Sequence, residues 1–136
     1  MAIVDNRPPA DVMGRVPLHY AALFGDLHGA ETLVAGGADV HVMDHDGQTP
    51  LHYAAQGNAV TVAELLLDHG AVVDAPDHDG NTPLWNAAMR TRGEGVVVSL
   101  LLARGADPLH VNDQGRTPAE LTLALGGGEI TRHISA

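Results

Sequence analysis

The chain contains no cysteine and no lysine among its 136 residues, and aromatic residues make up only 3% of it. The absence of cysteine excludes disulfides, thiolate metal sites, iron–sulfur clusters and a cysteine nucleophile. The absence of lysine excludes Schiff-base chemistry and the lysine of a phosphate-binding loop. Hydrophobic residues nevertheless make up 45% of the chain. We therefore expect a packed core built from Ala, Leu and Val rather than from large rings.

Positive charge and long apolar runs are also scarce. The chain has seventeen acidic residues and seven arginines, which gives a formal net charge of −10 at pH 7. Such a surface argues against a nucleic acid or an anionic membrane as the partner. No window approaches the ~18–20 apolar residues that a membrane span needs, and the start of the chain lacks the pattern of a signal peptide. We expect a cytoplasmic protein.

A nine-residue block recurs along the chain and defines an internal repeat. Gly-x-x-Pro-Leu-x-x-Ala-Ala occupies residues 14–22, 47–55 and 80–88, and it decays to Gly-Arg-Thr-Pro-Ala at 115–119. The intervals between the first glycines are 33, 33 and 35 residues. A second block, in which leucine precedes Gly-Ala, follows each first block, two residues later in the third repeat than in the first two. A period of this length is typical of proteins built from stacked repeats.

Each repeat is predicted to form two short antiparallel helices and a turn. Thr49 and Thr82 stand at positions suited to a helix N-cap, and each precedes a proline at the first helical position. In the second helix, Val62, Leu65 and Leu66 follow helical spacing. The motif positions to which we assign a structural role are Pro17, His19, Thr49, Pro50, His52, Thr82, Pro83, Trp85, Thr117 and Pro118.

Together the two blocks closely resemble those of ankyrin-repeat proteins, and the chain is similar to small stand-alone bacterial members of that family. The resemblance implies an all-α solenoid of stacked helix-turn-helix units with β-hairpin fingers. We expect an N-terminal arm over 1–10, an ankyrin-repeat domain over 11–125 and a C-terminal tail over 126–136. Within the domain, the repeats span about 11–43, 44–76 and 77–111, followed by a truncated cap over 112–125.

The repeats depart from the pattern at informative places. Val16 replaces the capping threonine, and Gly29 weakens the second helix, so we expect the first repeat to be the least stable. In the third repeat, Trp85 replaces the motif histidine and Asn86 replaces the tyrosine found in the first two. That repeat also carries two extra residues within 89–92, whose path the pattern does not predict.

Nine histidines raise the question of a metal site. The family resemblance implies that His19 and His52 tie neighbouring repeats together by hydrogen bonds. Asp-His-Asp-Gly occurs twice, at 44–47 and 77–80, but stacked units lie about 10 Å apart. That separation is too large for two loops to share a zinc ion. A calcium loop is excluded because its first ligand position would be Val42. We expect no metal and no cofactor.

Catalytic motifs are absent as well. Neither Ser99 nor Ser135 lies in a nucleophile elbow. The glycines at 126–128 lack the Lys-Ser/Thr of a phosphate-binding loop, and we interpret them as a flexible exit from the cap. We therefore expect no enzymatic activity.

The family resemblance implies binding of another protein through the concave face and the fingertips. Mapping those positions onto this chain predicts a set of partner-binding residues from all three repeats and the cap. They are Met13, Arg15, Leu23, Phe24, Met43, His45, Asp46, Gln48, Gln56, His78, Asp79, Asn81, Met89, Arg90, Arg92, Asp113 and Arg116. Their acidic members favour a partner with a basic surface, and we expect the chain to be a monomer.

Two features of this surface have more than one interpretation. Phe24 is expected to face solvent with Met13, Leu23 and Met43 as an interface anchor, or else to pack beneath the N-terminal arm. The acidic fingertips either attract a basic partner or only keep the protein soluble.

The most specific functional hypothesis is a bacterial immunity protein that occludes a basic toxin. The alternatives are a metal- or small-molecule-responsive regulator that uses the Asp/His fingertips, and an acidic mimic of nucleic acid.

Overall fold

The computed structural model describes residues 10–126 and 128–135, which form eight helices and no strand. The N-terminal arm predicted over 1–10 lies outside the described residues except for Ala10. No helix in the described part of the chain has the length and apolarity needed to cross a bilayer. The helices are α1 (Pro17–Phe24), α2 (Leu27–Ala35), α3 (Pro50–Gln56), α4 (Val60–Asp68), α5 (Pro83–Thr91), α6 (Val96–Ala103), α7 (Pro118–Ala124) and α8 (Glu129–Ser135).

Proline starts the first helix of every unit, as the sequence predicts. Its missing N–H costs nothing there, because the first amides of a helix have no partner within the helix. Thr117 caps α7 by accepting the amide of Glu120 at 3.1 Å. Val16 has no side-chain oxygen, but its own amide donates to Nδ1 of His19 at 3.0 Å. The first repeat thus keeps half of the capping arrangement.

The helices stack in two layers. The first helices α1, α3, α5 and α7 pack on one another in order, and the second helices α2, α4, α6 and α8 do the same. Leu18, Leu51 and Leu84 at the second position of the first helices are buried between the layers. Buried alanines on the same helices allow their close approach. This arrangement confirms the predicted helical solenoid.

A five-residue turn that we call a finger precedes each first helix, over 11–15, 44–48, 77–81 and 112–116. In each finger the first amide donates to the last carbonyl, as between Asp44 N and Gln48 O at 3.0 Å. Neighbouring fingers are joined by single backbone hydrogen bonds, such as that from His78 N to Asp46 O at 2.9 Å. The expected β-hairpins are therefore hydrogen-bonded turns, and the described residues contain no assigned strand.

The segment predicted as a C-terminal tail contains α8, which packs on α6 and α7. Ile130 is fully buried, and the Glu129 amide donates to the Gly93 carbonyl at 3.0 Å. The two extra residues of the third repeat lengthen α5 to nine residues, against seven in α3. Gly93 lies just beyond that longer helix, where it meets α8. The cap thus comprises two helices, α7 and α8, and extends into the segment that was expected to be a tail.

Candidate functional site: a cleft between the second and third repeats

A cleft of about 350 Å³ lies between the second and third repeats. Its walls come from the fingers that precede α3 and α5 and from the exposed sides of the same two helices. The lining residues are Gln48, Gln56, Asp77, Asp79, Asn81, Trp85, Asn86, Met89 and Arg90. Amide and charged groups thus surround an aromatic ring and a thioether.

Asp77 organises the wall formed by the third finger. Its Oδ1 accepts the backbone amides of Asp79 and Asn81, both at 2.9 Å. Its Oδ2 accepts Nε2 of Gln48 across the cleft at 3.0 Å. The carboxylate therefore fixes the turn with one oxygen and joins the two repeats with the other.

His52 joins the same two repeats beneath the cleft. Its Nδ1 accepts the Thr49 amide at 3.1 Å, so the ring proton is on Nε2, which donates to the Asn81 carbonyl at 2.8 Å. His19 makes the equivalent bonds to Val16 and Gln48. Burial lowers the pKa of both histidines. The neutral rings thus act as fixed links between neighbouring repeats.

The finger carboxylates of the first two repeats pair with tyrosines. Tyr20 donates its hydroxyl to Asp11, and Tyr53 donates to Asp44 at 2.5 Å. The hydrogen bond from Tyr20 holds the pKa of Asp11 well below its usual range. Burial would raise the pKa of Asp44, but the bonds from Tyr53 and two backbone amides outweigh it and lower that pKa. Both carboxylates are therefore ionised near neutral pH.

The cleft is equipped for binding through hydrogen bonds and apolar contact. Trp85 is half-buried, whereas Met89 is 57% exposed and Arg90 is exposed.

No group of three or more His, Asp or Glu side chains in the described residues could hold a metal ion.

Comparison with known families agrees with the stack of helix pairs. The family model for ankyrin repeats matches residues 18–112 in three copies. The chain is an ankyrin-repeat protein. A search of the curated proteins found no match to it. Ankyrin repeats are generic protein–protein interaction modules, which is the function class predicted from the sequence.

The structure of this ankyrin-repeat protein brings together part of the predicted partner-binding set. The predicted residues that line the cleft are Gln48, Gln56, Asp79, Asn81, Met89 and Arg90. Asp46, Asp113 and Arg116 are exposed on the fingers, and Arg92 is exposed at the C-terminal end of α5.

His45 and His78 are exposed but lie against the preceding fingers. A Cβ placed on Gly14 would come within 2.5 Å of the His45 ring, and one on Gly47 within 2.5 Å of the His78 ring. Both glycines also have φ of +78°, a conformation that residues with a Cβ rarely adopt. Glycine is therefore required at both positions, for lack of space and for its backbone conformation. The two rings therefore take part in stacking the fingers.

Two predicted contact residues are already engaged within the protein. Leu23, expected to face solvent, is half-buried and packs against the core, because α1 ends against the next repeat. Arg15 donates from Nε to Asp11 at 2.9 Å and covers the Tyr20 ring at 5.4 Å from its centroid. These side chains help to hold the first repeat together, and their contact with a partner stays a prediction.

Phe24 lies outside the cleft, on the outer side of the first repeat. It is 75% exposed and lines a separate apolar depression together with Tyr20 and Leu33. Met13 and Met43 are also exposed. The arm beneath which Phe24 was alternatively expected to pack lies outside the described residues. The anchor role of Phe24 stays a prediction.

Asp77, Trp85 and Asn86 line the cleft but are not among the partner-binding residues predicted from the sequence. Trp85 and Asn86 are the two departures from the motif in the third repeat, so the signal was present. Trp85 occupies the position of His19 and His52, so the pattern predicts a structural role for it. Its ring also contributes to the wall of the cleft.

Proposed function

We propose that the cleft and the fingers around it form the surface through which this ankyrin-repeat protein binds a partner protein, without enzymatic activity. The observation that carries the proposal is the combination of Trp85 and Met89 with hydrogen-bonding groups already fixed by the fold. Tryptophan and methionine are enriched at protein interfaces. Groups held in place before binding lose little freedom when the complex forms.

A partner with a basic surface suits the charge of the finger side. The chain carries a formal net charge of −10, and Asp46, Asp79 and Asp113 are exposed on successive fingers. A row of like charge accelerates encounter with a surface of opposite charge and makes association sensitive to salt.

The most specific form of the proposal is an immunity protein that occludes a basic toxin in the bacterial cytoplasm, acting as a monomer. The acidic charge supports it through electrostatic steering. The use of arginine alone for positive charge supports the bacterial assignment through base composition.

Capture from a cell lysate tests the binding surface. Met89→Glu places a charge in the cleft, and Val72→Glu makes the same change at a site that is 55% exposed outside it. We expect a stoichiometric partner to be retained by the wild type and by Val72→Glu, and lost by Met89→Glu. A partner retained by all three proteins would contradict the proposal.

The same capture separates the alternatives. Binding that disappears at high salt but tolerates Met89→Glu would favour the nucleic-acid mimic, because such contacts are purely electrostatic. A melting temperature that rises with Zn²⁺ and falls with chelator would favour the metal-responsive regulator. Capture of a basic toxic protein would support the immunity function.

A further inference from the structure

The first two repeats contain the same internal contact between a tyrosine and a finger. In each, the tyrosine at the fourth position of the first helix donates its hydroxyl to the finger carboxylate nine residues earlier. Tyr53 also places its ring 4.9 Å from the His19 ring of the preceding repeat, measured between centroids, and is only 7% exposed. The phenol thus fills the space between two repeats.

The third repeat lacks this tyrosine but keeps the carboxylate. Asn86 stands at the equivalent position, and its Nδ2 reaches the His52 carbonyl at 3.4 Å. Asp77, equivalent to Asp44, accepts a hydrogen bond from Gln48 where Asp44 accepts one from a tyrosine hydroxyl. Because the asparagine side chain is shorter than a tyrosine, the space beside it is open. The cleft that Asn86 and Asp77 line occupies this position between the second and third repeats.

The geometry points to a tyrosine side chain of the partner as the occupant of the cleft, with its hydroxyl donating to Asp77. This inference rests on the proposed function and names the chemistry of the partner's anchor. An ionised carboxylate only accepts hydrogen bonds, and each of its oxygens can accept more than one. Oδ2 can therefore keep Gln48 while it accepts the phenol, as Oδ2 of Asp11 accepts both Tyr20 and Arg15.

The surroundings of Asp77 suit an aromatic ring with a polar end. Trp85 and Met89 offer an aromatic face and a thioether, both of which pack favourably on rings. A volume of about 350 Å³ is at the lower end of the ~300–1,000 Å³ typical of ligand sites. That size favours a single side chain over a large ligand.

Small probes test the inference on the unmodified chain. Trp85 is its only tryptophan and lies in the cleft, so its fluorescence reports occupancy. N-acetyl-tyrosinamide should change that emission saturably, and N-acetyl-phenylalaninamide should bind about tenfold more weakly because it lacks the hydroxyl donor to a charged acceptor. Equal binding of the two probes would overturn the role of Asp77. Tighter binding of N-acetyl-argininamide would indicate that the partner's anchor in the cleft is a basic side chain rather than a phenol.

A variant that rebuilds the internal contact provides the second test. Asn86→Tyr should fill the cleft as Tyr53 fills its own site, raise the melting temperature and abolish binding of N-acetyl-tyrosinamide. Gln114→Tyr adds the same ring on the exposed finger of the cap and should change neither property. Probe binding that persists in a folded Asn86→Tyr protein would overturn the inference.

The two proposals can fail separately. If Met89→Glu loses the partner while Asn86→Tyr keeps it, the cleft binds a protein without a tyrosine anchor, and only the further inference is wrong. If the wild type binds N-acetyl-tyrosinamide selectively while partner capture is indifferent to Met89→Glu, the phenol site stands and the proposed interface is wrong.

Discussion

At the scale of single residues, the buried histidines show how one side chain joins two repeats. His19 and His52 are fully buried, and each accepts an amide from its own helix start and donates to the next finger. Only the neutral ring can do both. A proton on Nδ1 would break the first bond and place a charge in the core.

This bonding makes stability depend on pH. Burial lowers the pKa of both rings in the folded protein, whereas the unfolded value is about 6.5. Their contribution is therefore complete above about pH 6.5. It declines below that pH, because the unfolded chain then binds protons that the folded protein does not. We expect urea unfolding to show lower stability at pH 5.5 than at pH 7.5.

The histidine prediction has a matched pair of variants. His52→Gln should reduce the slope of stability against pH, whereas His41→Gln, at an exposed position, should leave it unchanged. A slope that is the same in all three proteins would show that the buried rings are not its source.

Two threonines at equivalent positions are predicted to respond differently to the same substitution. Thr49 Oγ1 lies 2.9 Å from Nδ1 of His52, whereas Thr82 Oγ1 is buried and has no hydrogen-bond partner among the described residues. The reason is Trp85, whose ring offers no acceptor. Thr49→Val should cost about 1–2 kcal/mol, and Thr82→Val should be nearly neutral. Urea denaturation of both variants measures the difference, and equal losses would contradict this account.

At the scale of helices, the C-terminal end of the stack depends on α8, a helix that the repeat pattern does not predict. α8 covers the last repeat with Ile130 and attaches through the amide of Glu129 and a hydrogen bond from Ser99 at 2.6 Å. Its contacts involve Gly93, beyond the extra residues of α5. The insertion and the C-terminal helix therefore belong to one structural feature.

Removing the buried side chain of α8 should destabilise the protein. Ile130→Ala leaves a cavity beneath the helix and should cost about 2 kcal/mol or more in unfolding free energy. Arg132→Ala is the control on the same helix. Its ion pair with Glu94, at 3.5 Å, is mostly exposed and contributes little. If the two variants are equally stable, α8 contributes no core packing.

At the scale of the whole molecule, stability should vary along the stack because each repeat contacts only its neighbours. α2 buries only Ala30, whereas α6 buries two valines and two leucines. The first repeat also has no side-chain hydroxyl at the start of α1. Among the described residues, the second helix of the first repeat therefore has less buried apolar surface to hold it than that of the third.

Hydrogen exchange should show this gradient directly. We expect amides of α1 and α2 to exchange faster than those of α3 to α6, through local opening that does not require global unfolding. Denaturant should leave the exchange of α1 and α2 less affected than that of α4 and α6. Uniform protection across all helices would instead indicate a single cooperative unit.

The sequence by itself determined the repeat period, the helix starts and the buried leucines. These follow from local rules: proline and threonine set helix starts, and leucine and alanine at helical spacing define the buried faces. The histidine links were expected from the family resemblance rather than from these local rules. The class of function followed from the same repeats, whereas the partner's chemistry did not.

Only the tertiary structure decided where the cleft lies and that α8 completes the cap. Both depend on contacts between residues about 30 positions apart, such as Gln48 with Asp77 and Ser99 with Glu129. Local patterns do not specify such contacts. The presence of Asn86 where the first two repeats have a tyrosine is visible in the sequence. Its consequence, an open space beside an unaltered carboxylate, required the neighbouring repeat to be in place.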